Sequence, residues 1–352
     1  MSTLMALSAH AAPLDVRPHE EQQRPSRLPL RVAVVGAGVA GAACARAVLD
    51  AGYDVVVFDK GRGPGGRCST RTAAGDRRFD HGAQFFTASD ERFARFVEQC
   101  HQEGLVAPWT PRIIHASSSS SSSSSSRTRE QKWVAAPGMS ALLKHMLADV
   151  AVQFGVRVAS IAADGDRFCC TSDDGRDLGV YDAVVVAVPA PQASPLLANI
   201  APMLSAHAAQ AQMQPTWALM LDYDGAGPDV DADVIEVRGR ALRWAAREAS
   251  KPGRAPGVRW LLHGRVDDDD PARATATLLA EFVDVVGASA AQPAFSAAHL
   301  WRYAFVARAV GSDCLVDGTG RVVACGDWCV GPRVEAAYLS GVAAAGRLLA
   351  LR

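Results

Sequence analysis

Val34-Val35-Gly36-Ala37-Gly38-Val39-Ala40-Gly41 is the stretch whose reading decides the fold. The branched and small residues Val32 to Val35 predict a short buried strand. Gly36, Gly38 and Gly41 fit G-x-G-x-x-G, and Ala42 to Leu49 continues as a helix. In that pattern the first glycine permits a tight turn and the second lets the backbone approach a pyrophosphate. The third lets helix and strand pack closely. The phosphate would rest on free N–H groups at a helix N-terminus. A second buried strand, Asp54 to Phe58, ends in Asp59, 23 residues after Gly36. A carboxylate at that distance can accept both hydroxyls of an adenosine ribose. The glycines alone are common, but between two strands and followed by this acid they specify a dinucleotide fold.

Directly behind Asp59 runs Lys60-Gly-Arg-Gly-Pro-Gly-Gly-Arg67. NAD-binding domains usually lack such a segment there, whereas flavoproteins of the glutathione-reductase-like class often carry one. Gly65 and Gly66 would let the backbone wrap a cofactor, and Arg67 supplies a guanidinium for phosphates or a flavin edge.

Composition narrows the function classes. The 352 residues suffice for two domains and a substantial core. A hydrophobic content of 49% and a charged content of 21% are ordinary for a globular chain. A net charge of −1 gives no electrostatic reason to expect nucleic acid or an anionic membrane as partner. No stretch approaches the roughly 18 apolar residues of a membrane span. The N-terminus lacks the basic region of a signal peptide, so a cytoplasmic location is expected. The eight cysteines form no CxxC pair, and buried thiols in a reducing compartment are expected. Without HExxH or any i, i+4 histidine pair, no metal is expected.

Along the chain, residues 1–29 read as a disordered extension and Ser117 to Ser126 as a flexible loop between two strands. A helix is predicted from about Ser140 to Val150, with Ser140 as N-cap. Strands follow at Val156 to Ala162, Arg167 to Ser172 and Tyr181 to Val188, with turns at Asp164-Gly165 and Asp173-Asp174-Gly175. From about 191 to 313 the pattern changes. Helices are expected around Leu196 to Gln212 and Ala272 to Val286, and strands at Trp217 to Tyr223 and Val258 to His263. A strand at Val322 to Cys325 precedes a final helix opened by Gly331-Pro332. The fold class is therefore α/β and Rossmann-like, with an inserted α+β domain.

The chain resembles the renalase-like branch of the FAD-dependent amine oxidase flavoproteins. The resemblance is carried by GAGVAG with FDKGRGPGGR, by FDHGAQFFT (79–87), VAAPGM (134–139) and CGDWCVGPRVEAAYLSG (325–341). REASKPGR (247–254), WLLH (260–263) and WRYA (301–304) add to it. It covers nearly everything from residue 31 onward. It implies a discontinuous FAD-binding domain (30–86, 134–190 and 314–352) and a substrate domain (87–133 and 191–313), with the flavin ring at their junction. Gly36, Gly38, Ala40 and Gly41 match the phosphate-binding turn, Asp59 and Lys60 the ribose end, and Arg67 the arginine of the glycine-rich segment. Ala83, Gln84 and Phe85 match the segment beside the isoalloxazine, Val158 the adenine contact, Asp327 the acid on the ribitol chain, and Val334 the helix behind it. His263, Arg302 and Gln84 are candidate pocket residues; His81 faces the flavin or is structural. The Lys251–Arg254 segment reads as a solvated loop. Glu248 stands where the resemblance leads one to expect an uncharged polar residue.

The resemblance implies an oxidase that moves hydride from 2- or 6-dihydronicotinamide isomers of NAD(P)H to noncovalent FAD, which dioxygen reoxidises with release of hydrogen peroxide. Loss of hydride restores an aromatic pyridinium, so no general base is needed and alignment dominates. A flavin amine oxidase is the alternative; it must receive a neutral amine, and Trp217, Trp244, Trp260 and Trp301 are candidate aromatics for its pocket, each as readily a core residue. A flavin-binding sensor or scaffold without turnover is a third reading.

Overall fold

Branched residues at 31–35, 54–59 and 183–186 leave no polar side to these segments, so each must be covered on both faces. The computed structural model, which describes residues 30–117, 130–225 and 227–351, places them side by side at the centre of a six-stranded sheet. Its order is Leu315–Val316, Val322–Ala324, Ala183–Val186, Arg31–Val35, Asp54–Asp59 and Ala151–Phe154, parallel except at the first pair. Val34 lies level with Val57 on one side and Val185 on the other. The helix Val39–Asp50 follows the glycine turn and packs against the helix Val334–Leu349. Gly341 is the point of contact: a Cβ there would lie 2.1 Å from the carbonyl oxygen of Ala40.

A second six-stranded sheet has the order Phe295–Arg308, Gln212–Asp222, Arg259–Gly264, Leu242–Arg247, Val234–Arg238 and Ile113–Ser117. It is antiparallel up to the last pair, which is parallel. Pro271–Val286 covers one face through Ala274, Leu278 and Phe282, and Asp270 caps this helix by accepting from the amide of Ala272. A three-stranded meander, Val158–Asp164, Arg167–Ser172 and Asp177–Tyr181, branches from the first sheet. The helix Glu91–Gln102 lies against Val334–Leu349, with Phe93 and Phe96 packed on Tyr338. No helix among the described residues is long and apolar enough to cross a membrane.

Several expectations need correction. The helix Leu196 to Gln212 is two helices, Ala190–Leu197 and Pro202–Ala208, and Gln212 already opens a strand. Pro202 cannot continue a helix but is suited to begin one. Ser140 is not an N-cap: Met139 holds that place, and the helix ends at Met146. Its first amides are satisfied from afar, Met139 N by Asp80 Oδ1 and Ser140 N by Thr70 Oγ1. Pro332 precedes the final helix, which starts at Val334, and Asp327 opens a one-turn helix of its own, Asp327–Val330. The serine run beyond Ser117 and residues 1–29 lie outside the described residues.

Gly341→Val should force the two helices apart against a backbone carbonyl. Overpacking of this kind costs about 1–3 kcal/mol. A chemical-denaturation midpoint equal to that of the wild type would refute the close approach.

Candidate functional site

The glycine turn is held open by the residues around it. Gly36 has φ +113°, and a Cβ on it would strike the backbone oxygen of Ala187 at 2.8 Å; one on Gly41 would strike Gly36 O at 1.9 Å. Gly38, the N-cap of Val39–Asp50, has nothing within 4 Å of where a Cβ would stand. That helix has no side-chain cap and no acid in its first turn. Free amides beneath open space at a positive helix end suit an anionic pyrophosphate. Asp59 braces the turn, accepting from Ala37 N through Oδ2 and from Gly61 N through Oδ1, each at 2.6 Å. Lys60 beside it keeps an exposed surface, and partial desolvation and the neighbouring Arg157 lower its pKa. Val158 is buried at the start of the meander.

The loop after the second strand and the late Gly326-Asp327 step meet at Arg67. Gly65 N donates to Ala37 O, which seats the glycine-rich segment on the turn. The Arg67 guanidinium grips Asp327 through two parallel bonds of 2.6 Å and donates to Ala304 O at 3.2 Å, on the second sheet. A glycine at 82 is required because a Cβ there would lie 1.9 Å from Arg67 O, which accepts from Ala83 N at 2.7 Å. Segment 81–85 is thus docked on the arginine loop. Val334 is half-buried at the first position of its helix. Glu335 follows it, and its carboxylate accepts from Ser89 N and Asp90 N, both at 2.6 Å. This acid in the first turn offsets the positive end of the helix Val334–Leu349.

The candidate pocket residues separate. His263 Nε2 lies 3.2 Å from the carbonyl oxygen of His81, which also accepts from Trp301 Nε1 at 2.8 Å. The His81 ring leans on Trp301 and on His299, with centroids 4.9 and 5.1 Å away. Burial, joined by the neighbouring His299, pushes His81 down to about 3; burial pushes His263 down to about 4. Both imidazoles are neutral at pH 7. Arg302 does not join them: it is exposed, 3.5 Å from the exposed Asp269. Gln84 is buried, but its side chain is fully engaged. Its amide donates to the carbonyls of Asp80 and Gly82, and its oxygen accepts from Lys251. Phe85 is half-buried among Trp109, Trp244 and the ammonium of Lys132.

The segment expected to be a solvated loop is a buried charge cluster. Lys251 has no exposed side-chain surface; its Nζ lies 2.9 Å from Glu248 Oε1, 3.0 Å from Gln84 Oε1 and 3.5 Å from Asp80 Oδ2. Arg254 donates to Asp80 through Nε and Nη2 and to Ala135 O. A solvated reading was the natural one for Lys-Pro-Gly-Arg. The signal that pointed otherwise was distant, in Asp80 and the GAQ that follows it.

Models of two families match the sequence. A NAD(P)-binding Rossmann-like domain matches residues 34–100, and the flavin containing amine oxidoreductase model matches residues 108–349, about two thirds of the chain. The chain belongs to the flavin-containing amine oxidoreductase family, and is thus an FAD-dependent oxidoreductase with a Rossmann-like domain. It is 29% identical over 205 residues, 47% of its length, to the bifunctional tRNA 5-methylaminomethyl-2-thiouridine biosynthesis protein of Magnetococcus marinus. It is 56% identical over 39 residues, 11% of its length, to a zeta-carotene-forming phytoene desaturase of Myxococcus xanthus. The chain spans only 30% and 8% of those two relatives. In fold it is similar to putrescine oxidase bound to putrescine, with TM-score 0.70 and 14% identity over 92% of this chain and 99% of that one. Cyclohexylamine oxidase from Brevibacterium oxydans IH-35A gives TM-score 0.68 and 15% identity over 91% and 98%.

The histidines carry a pH prediction. A neutral imidazole whose folded pKa lies below its unfolded value leaves the unfolded state binding more protons between the two. Stability should therefore fall as pH drops from about 6.5 toward about 4. His81→Asn should flatten that decline in melting temperature; an unchanged profile would contradict the buried neutral ring.

Proposed function

We propose that this protein is a renalase-like oxidase that takes hydride from a reduced dihydronicotinamide dinucleotide, with dioxygen as the final acceptor. Noncovalent FAD, when bound, would supply the hydride acceptor, and dioxygen with one proton from solvent would take up the hydride equivalent as hydrogen peroxide. In this reading Gly36, Gly38, Ala40 and Gly41 cradle its pyrophosphate, Asp59 and Lys60 its ribose, and Val158 its adenine. Arg67, Asp327 and Val334 line the ribitol and phosphate path, and Ala83, Gln84 and Phe85 flank the ring through their backbone. Residues 30–86, 134–190 and 314–352 form the FAD-binding domain, and 87–133 with 191–313 the substrate domain. Cys68 and Cys329 are buried thiols pushed up to about 12, chiefly by burial, which favours noncovalent attachment.

The observation that carries the choice of substrate is the wall of His81, His263, His299 and Trp301. Its imidazoles are all lowered by burial, His81 and His263 far enough to be poor bases at neutral pH. Hydride loss from a dihydronicotinamide needs alignment and no base, and neutral donor–acceptor rings can align a flat heterocycle. An amine oxidase is the second reading, favoured by the family to which the chain belongs.

Anaerobic mixing separates the two. A 6-dihydronicotinamide dinucleotide should bleach the flavin absorbance rapidly while a panel of primary amines leaves it unchanged; the reverse pattern would establish the amine oxidase. No bleaching by any donor would favour a sensor. Asp59→Ala should lower the FAD-to-protein ratio after gel filtration, because it removes the ribose acceptor and the brace between Ala37 and Gly61. An unchanged ratio would count against the ribose assignment.

A further inference from the structure

Glu248 is a carboxyl group with almost no exposed surface, paired with the equally buried Lys251 at 2.9 Å. Two acids and two cations meet there. Asp80 is the fully solvated-in-protein anion: it accepts from Thr70 Oγ1, Met139 N and two nitrogens of Arg254, and lies 3.5 Å from Lys251. Glu248 has a different environment. Of the two cations, only Lys251 reaches its carboxylate, while Arg254 is spent on Asp80, Ala135 O and Pro252 O. With one anion fixed and two cations present, the state of Glu248 decides whether the cluster carries zero or one net positive charge. Lys251 transmits that difference, since the same Nζ holds Gln84 and hence segment 81–85.

We propose that Glu248, held against Lys251 behind segment 81–85, is a proton-exchanging group whose charge is linked to the redox state of the flavin. The proposal rests on the reading that places the flavin ring beside that segment. Reduction by hydride leaves negative charge on the ring; a proton from solvent then binds Glu248, so that Lys251 is uncompensated and the added charge is balanced. The ionisable groups facing Glu248 are Lys251 and Arg254 from its own loop and Asp80 from the opposite segment, while His263 faces Lys251 from the strand Arg259–Gly264. Burial, and then Asp80, raise the affinity of Glu248 for a proton, while Lys251 and Arg254 oppose this; for Asp80 the same cations, with the Met139 amide and the Thr70 hydroxyl, together outweigh burial and hold the carboxyl below its usual range.

The test is the flavin midpoint potential as a function of pH, measured by slow chemical reduction against a reference dye, which requires no substrate. In the wild type, the window in which Glu248 titrates should show extra steepness. A fully linked proton adds a tenfold change in the reduction equilibrium per pH unit, about 30 mV for two electrons. Glu248→Gln should remove the extra slope. Lys251→Met should remove it too, because Glu248 without its cation stays protonated. Apo-protein melting gives an independent reading. An acid with a raised folded pKa binds its proton more tightly when folded, so its contribution to stability is lost as pH rises above about 4.5. The melting difference between wild type and Glu248→Gln should show that loss. Colourless protein would overturn the flavin placement and this proposal with it. Yellow protein whose potential slopes coincide in wild type and either variant would overturn this proposal alone.

Discussion

One guanidinium holds the architecture together at its centre. Arg67 joins a loop after the second strand, a carbonyl on the long strand of the second sheet, and an acid 260 residues further along the chain. Two parallel charge-assisted bonds give this contact direction as well as strength, which a single ammonium could not. Asp327 is nearly buried and Arg67 mostly so, and removing one partner of a buried pair leaves the other charge stranded. The glycines at 65, 66 and 82 exist to let this arginine's backbone lie against the nucleotide turn on one side and segment 81–85 on the other.

Much of this was legible in the sequence because it depends on local chemistry. Glycine spacing, an acid closing a strand, and valine runs with no polar side each have a single structural solution, and Arg31–Val35, Val39–Asp50 and Asp54–Asp59 follow them. The convergence of Asp327 on the first loop was implied by the resemblance, and the structure brings the two together. What escaped was set by distant partners. Ser140 looks like a cap, yet Met139 holds that place, and the amides of Ser140 and Met139 are themselves taken by Thr70 and Asp80. Arg302 sits next to Trp301 in sequence, but strand alternation turns them to opposite faces, one toward His81 and the other toward solvent. Lys251 and Arg254 look solvated until Asp80 and Gln84 are placed beside them.

The buried polar cluster is the expensive part of the molecule. Burying four ionisable side chains brings a desolvation penalty that hydrophobic packing would avoid. Its return is orientation: Asp80 aligns the start of the helix Ser140–Met146 through Met139, while Lys251 immobilises Gln84. The amide of Gln84 then pins the carbonyls of Asp80 and Gly82. A segment of small and aromatic residues has its main chain fixed in this way, together with the bonds of Ala83 N to Arg67 O and of Trp301 Nε1 to His81 O.

The contact between Gly341 and Ala40 has a consequence for biosynthesis. A nascent chain emerging from the ribosome presents the glycine turn early, but the helix that rests on it, and the strand Val322–Ala324, come some three hundred residues later. Until then the first helix has one bare flank. Most strands of the second sheet come from 212–308 and are complete sooner, so vectorial synthesis favours its assembly first. The first sheet, begun at Arg31–Val35, closes last, when Val322–Ala324 and Val334–Leu349 take their places.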